Sequence, residues 1–375
     1  MDLLSDAVKK SGTDAYVAYA SSRDADMRYL THFTSSDPFV YFRKPGEKGV
    51  IIISQMEVGR ASREATTAVM TRTQAGLPDI LKREKEPYRA IAQMIANQTG
   101  KKVMVPPNFP VALAQALEDF CSVTVDKGTV LSIRAKKTRS EINLMKDIQT
   151  VTQNAMGQAV SLIRRASVKK GILIHEGKVL TSEQVKYTMH QFLLKEGCSA
   201  VDTIVSCGED SAIPHMTGTG PLLADEPIVI DLFPVNEKSG YFADMTRTVV
   251  KGEPSTEIHE MYDALCEAKH LAISGVKRGI PGSDLYQIVV DFFRERGYES
   301  DTRGFVHNLG HGVGLQIHEL PTVGPAGNAL ETGNVITIEP GLYYPGIGGV
   351  RLEDIGAVTS KGFENFTVFP EELII

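Results

Sequence analysis

Between residues 139 and 165 apolar side chains fall at Ile142, Met145, Ile148 and Val151, the three- to four-residue spacing of a helix with one buried face. Thr138-Arg139-Ser140-Glu141 stands just before them in the arrangement of a capping box, where hydroxyl and carboxylate satisfy backbone N–H groups of the first turn. Thr181-Ser182-Glu183-Gln184 repeats the device and predicts a helix to about residue 196, stopped by Gly197. Amphipathic patterning predicts two more helices, over 255–276 and 283–296. Upstream, short runs rich in β-formers (14–20, 49–54, 69–74, 102–105 and 121–126) are interspersed with helical patterns at 57–67, 88–97 and 110–120. Such alternation predicts a small α/β domain. The basic, turn-like stretch Ile133-Arg134-Ala135-Lys136-Lys137 divides it from the rest of the chain, giving domains 1–133 and 134–375. His32, Arg43 and Lys44 read as residues of a solvated loop in the first domain.

Two hairpins in the second domain carry unusual chemistry. Residues 228–235 and 241–250 are rich in β-formers, and Asn236-Glu237-Lys238-Ser239-Gly240 between them reads as a turn. Folding there at Glu237-Lys238 sets Asp231 opposite Asp244. Residues 335–339 and 350–355 flank a break with Pro345, Gly346, Gly348 and Gly349, and folding at Gly346 sets Glu339 opposite Glu353. Aspartate is depleted in strands, and facing like charges are unfavourable unless something positive lies between them. A solvated hairpin face would explain one such pair; two pairs point to cations. Gly310-His311-Gly312-Val313-Gly314 adds an imidazole among residues small enough for close approach. Four carboxylates and one imidazole suit a pair of Mn²⁺, Co²⁺, Fe²⁺ or Zn²⁺ ions without selecting among them, and paired metals are a hydrolytic device. The order helix, histidine loop, carboxylate hairpin occurs twice, with His215 in the first copy and His311 in the second, and suggests an internal duplication.

Asp231, Asp244, His311, Glu339 and Glu353 together resemble the five-ligand set of the methionine aminopeptidase, prolidase and aminopeptidase P superfamily. His307, four positions before His311, and the segment Gly348–Asp354 (GGVRLED) resemble the Xaa-Pro branch most. The resemblance implies an α+β pita-bread catalytic domain behind the smaller N-terminal α/β domain. It implies two divalent metal ions per subunit, with Asp231 on one, His311 on the other, and Asp244 and Glu353 bridging. Glu339 would be both ligand and proton carrier. His307 and His318 would bind substrate and stabilise the tetrahedral intermediate, with His215 contacting substrate. Arg351 is expected to bind substrate, offsetting the carboxylate charge or orienting a ligand, with a purely structural salt bridge as the alternative, and Arg247 is expected to be structural. The implied reaction is hydrolysis of an N-terminal Xaa-Pro bond by a homodimer. Many dipeptide-specific members carry an arginine shortly after the histidine-glutamate pair, where this chain has Leu320-Pro321-Thr322-Val323, which favours an aminopeptidase P-like preference. The alternatives are a creatinase-like C–N hydrolase, which lacks the intact ligand set, and a non-catalytic peptide-binding domain, which usually loses ligands.

Composition narrows the rest. The 375 residues are 42% apolar and 23% charged, ordinary for a soluble two-domain protein. A net charge of −6 gives no reason to expect nucleic acid or an anionic membrane as partner. Four scattered cysteines without a CxxC pair argue against a cysteine zinc site and suit a reducing cytoplasm. The acidic MDLLSDAVKK start does not read as a signal peptide.

Overall fold

The structure, a computed structural model, describes residues 2–375. The chain divides into two compact units, one ending at Arg134 and one spanning Ala135–Ile375. The first is built on a mixed six-stranded sheet in the order Ala68–Thr71, Val50–Ile53, Phe39–Arg43, Ala15–Ala20, Lys102–Val105, Ser122–Val125. Alternate side chains feed opposite faces. Val17 packs with Val40, Phe42 and Ile95, whereas Tyr16 and Ala18 pack with Tyr41 and Ile51. Arg43, expected in a solvated loop, ends the strand Phe39–Arg43, where it pairs with Asp2 and donates to the Glu47 carbonyl.

In the second unit both capping boxes form, at the helices Arg139–Arg164 and Ser182–Lys195. These helices cover a three-stranded antiparallel sheet, Ile204–Cys207, Pro227–Leu232 and Met245–Val250. The helices Thr256–Gly275 and Gly282–Glu295 cover the second half. Leu285, Val289 and Phe293 recur at four-residue spacing and are fully buried, each burial being worth roughly 1.5–3 kcal/mol. Beneath them runs a five-stranded sheet in the order Glu319–Val323, Gly310–Gly312, Val335–Ile338, Asp354–Thr359, Gly362–Asn365. The two halves meet where Thr246 bridges Glu353. Among the described residues no helix is long and apolar enough to cross a membrane.

The first hairpin differs from the expected register. Asp231 pairs with Thr246, not Asp244. The ladder continues through Ala243 N–H to the Pro234 carbonyl and Asn236 N–H to the Tyr241 carbonyl, both at 3.0 Å. The turn therefore spans residues 237–240, where Asn236 Oδ1 accepts from the Ser239 N–H at 2.9 Å. The slip is two positions, so Asp244 stays on the face of Asp231 and is its diagonal neighbour. The second hairpin has the expected register. Ile338 pairs with Asp354 and Gly341 with Arg351, which leaves Glu339 facing Glu353.

Glu353 and Asp354 point to opposite sides of their strand. Asp354 enters a buried ion cluster, with Arg247 Nη2 at 2.9 Å and Lys269 Nζ at 2.8 Å. Arg247 also donates to the Glu353 carbonyl at 2.8 Å, so the cluster fixes the backbone behind the site. Burial alone would raise the Asp354 pKa, but Arg247 and Lys269 outweigh it and hold it below the usual range. A folded pKa below the unfolded value gives stability that is present above the ordinary carboxylate range and lost as pH falls through the depressed value. Lys269→Met is expected to destabilise the fold by about 3–5 kcal/mol, measured by denaturant unfolding at pH 7.

Candidate metal centre

The seam between the halves gathers the acidic side chains. Ligand atoms of Asp244, His311 and Glu353 all lie within 4.8 Å of one another. His311 Nε2 is 3.6 Å from Asp244 Oδ2 and 3.2 Å from Glu339 Oε1. Asp231 reaches the group through its charge, which acts on both Asp244 and Glu353. One Asp231 oxygen accepts from Arg351 Nη2 at 2.7 Å, while Oδ1 is buried without a partner. All five residues of the expected ligand set thus line one place.

The electrostatics of this group are unbalanced. Burial, compounded by neighbouring carboxylates, raises both Asp244 and Glu353 well above the usual carboxylate range. Glu339 goes the other way. Burial opposes its charge, but the hydrogen bond and charge of His311, with His307 and Arg351, pull it down to about 2. Burial also disfavours a charged His311, yet Glu339 and Asp244 outweigh it and lift its pKa to about 9. His311 Nδ1–H donates to the Gly312 carbonyl at 3.1 Å, which directs Nε2 at the carboxylates. An orphaned buried carboxylate oxygen, two carboxyls that resist ionisation and an imidazole aimed at them fit divalent cations.

Hydroxyl groups orient the acids. Thr246 Oγ1–H donates to Glu353 Oε2 at 2.8 Å and accepts from Arg351 Nε at 3.3 Å. Thr337 Oγ1–H donates to Glu339 Oε1 at 3.2 Å and accepts the His311 backbone N–H at 3.1 Å. Outer partners of this kind are worth about 10–100-fold in metal affinity. Thr246→Val, which keeps the side-chain shape, is expected to weaken Mn²⁺ or Co²⁺ binding by about that factor. Unchanged affinity in a calorimetric titration would refute the orienting role.

The remaining predicted residues lie around this group with different freedom. His307 Nδ1–H donates to the Asn308 carbonyl at 2.7 Å, so its Nε2 accepts from Tyr343 O–H at 3.0 Å. Arg351 Nη1 in turn donates to the Tyr343 oxygen at 2.8 Å. His318 packs edge-on against His311, with ring centroids 4.3 Å apart. Burial lowers both the His307 and His318 pKa values, so both favour the neutral form. His215 is exposed, and its charge acts on both of them. Arg351 is buried between Asp231, Tyr343, Thr246 and the Pro214 carbonyl. Sequence reasoning missed Tyr343. Its signal was the glycines around it: a Cβ at Gly341 would lie 2.4 Å from the Tyr343 hydroxyl, and one at Gly349 2.8 Å from its ring.

This fold, with an acidic centre joined to one imidazole at the seam between its two halves, defines a metallopeptidase of the pita-bread class. The chain belongs to metallopeptidase family M24, whose profile matches residues 143–360; that of the creatinase/prolidase N-terminal domain matches residues 1–135. An uncharacterized peptidase of Staphylococcus aureus (strain MRSA252) is 36% identical over 241 residues, 64% of this chain and 64% of that protein. The match thus spans just under two thirds of that relative's length. Among solved structures, an Xaa-Pro dipeptidase from Bacillus anthracis superposes with a TM-score of 0.85 at 27% identity, over 100% of this chain and 98% of that one. An X-Pro aminopeptidase from Thermotoga maritima MSB8 shares the fold, with a TM-score of 0.80 at 24% identity over 99% and 100% of the two chains.

Proposed function

We propose that the chain is a dinuclear-metal exopeptidase that hydrolyses the N-terminal Xaa-Pro bond of peptides. The observation that carries this reading is the convergence of Asp244, Glu353 and His311, with Asp231 and Glu339 acting on the same group. The Bacillus anthracis dipeptidase, similar over the whole chain, supports the Xaa-Pro assignment. Asp231, Asp244, His311, Glu339 and Glu353 would hold two divalent ions of the Mn, Co, Fe or Zn kind. Bound there, the ions would lower the pKa of water and polarise the scissile carbonyl.

The chain's own residues do the rest. Glu339, held ionised by His311, is suited to take a proton and pass it to the leaving amine. Neutral His318, packed edge-on against His311, has an N–H to offer the carbonyl oxygen as negative charge develops. His307 differs. Both of its nitrogens are engaged, so it fits substrate binding better than charge stabilisation, although the sequence suggests one role for both histidines. His215, exposed and near enough for its charge to act on His307 and His318, would contact substrate. Arg351 fits the positioning of Asp231 and Tyr343 rather than direct substrate contact. We further infer a cytoplasmic homodimer, as the family resemblance implies, and the absence of an arginine from Leu320-Pro321-Thr322-Val323 favours peptides longer than two residues.

After chelation, Mn²⁺, Co²⁺ or Zn²⁺ is expected to restore cleavage of an Xaa-Pro-Yaa tripeptide, with an Xaa-Pro dipeptide cleaved more slowly. Cleavage of neither with any of the three metals would refute the peptidase reading.

A further inference from the structure

Lys137 and Glu319 form an ion pair that the peptidase chemistry does not use. Lys137 Nζ lies 2.5 Å from Glu319 Oε1, and both side chains are only 1% exposed. Two charges this far from water repay their desolvation only with well-fixed geometry and further hydrogen bonds. Its surroundings indicate what it fixes. Glu319 directly follows His318 and begins the strand Glu319–Val323. It pairs with Gly312, yet the neighbouring His311 pairs with Thr322. The shift bulges Leu320 and Pro321, and residues 313–318 form the short connection between the two strands, bringing His318 against His311. The Glu319 carboxylate enters that loop, for a Cβ at Gly314 would lie 2.3 Å from its Oε1. On the other side, Lys137 is tied by its own N–H to the Gly333 carbonyl at 2.8 Å, close to where Val313 N–H meets the Val335 carbonyl at 3.0 Å. The loop that carries His318 is therefore clamped at the end where that histidine sits.

We propose that Lys137, acting through Glu319, is a positioning residue that keeps His318 against His311. The structural claim stands on this geometry, and only its effect on rate rests on the peptidase reading. The test uses the full chain as Lys137→Met, as the double variant Lys137→Met/Glu319→Gln, which removes both charges of the pair, and as His318→Ala. Side-chain ¹H–¹⁵N spectra of histidine-labelled, metal-free protein come first, with the His318 signals identified by their loss in His318→Ala. Folded Lys137 variants are expected to shift or broaden those signals while His175 and His259 keep theirs. With Mn²⁺ bound, kcat on a tripeptide is expected to fall by about 10- to 100-fold, the scale of a misplaced catalytic group, with KM and metal content nearly unchanged. Adding Lys137→Met to His318→Ala should cost nothing further. Unmoved His318 signals in a folded variant, or rate losses that multiply, would overturn the proposal. A wild-type chain inert toward every peptide would instead overturn the peptidase reading and leave the spectra to decide the positioning role.

Discussion

Asp244→Asn is expected to abolish metal uptake and peptidase activity while making the metal-free protein more stable at pH 7–8. Asp244 is 4% exposed and sits with Asp231, Glu339 and Glu353 acting on it. Burial, with the charges of Asp231 and Glu339, raises its pKa, so ionising it opposes folding when no cation is present. A folded pKa above the unfolded value means that this carboxyl's contribution is most favourable at low pH and declines as pH rises. An amide of the same shape carries no charge and can donate to the Glu353 carboxylate. The melting temperature of metal-free Asp244→Asn should thus exceed that of the metal-free wild type at pH 8, and the gap should narrow toward pH 5. Added Mn²⁺ should stabilise the wild type and leave the variant unmoved. Activity should fall more than about 100-fold, beyond the range typical of outer partners of a metal. A variant that is less stable without metal, or that keeps wild-type turnover, would show that Asp244 is not the strained ligand these charges describe.

The same electrostatics decide how much of the site could be read from residue order. Carboxylates amid strand residues are conspicuous, because an apolar strand has no local reason to hold them, and Asp231, Asp244, Glu339 and Glu353 stand out for that reason. Their exact opposition was harder. Asp231 pairs with Thr246 because Asn236 closes the turn with its own side chain, a detail that turn-rich composition does not specify. The helices Arg139–Arg164 and Ser182–Lys195 were visible through their capping boxes, since those contacts lie within four residues. The strand Phe39–Arg43 was not: FVYFR shows no alternation, as expected of a strand buried on both faces. Least visible were the side chains that orient the ligands. Lys137 and Glu319 stand 182 positions apart, and only the folded chain joins them.

Metal affinity is expected to rise steeply with pH, with protons released on binding. The metal-free site holds protons on groups that a cation requires bare. His311 has its pKa lifted to about 9, and Asp244 and Glu353 are both raised. Glu339, lowered to about 2, contributes none. Each proton displaced makes the dissociation constant fall about tenfold per pH unit, or about 1.4 kcal/mol. Between pH 6 and 8 at least one proton should leave as the site is loaded, from His311. The release should fade as pH passes about 9, where His311 gives up its proton unaided. Titration calorimetry with Mn²⁺ in buffers of different ionisation enthalpy counts those protons directly. At 100 times the dissociation constant the metal should stabilise the fold by about 2.7 kcal/mol, and that gain should shrink on acidification. Binding that releases no proton and keeps one affinity from pH 6 to 8 would mean that the cation sits elsewhere, because no ion can enter among Asp244, His311 and Glu353 without displacing what they hold.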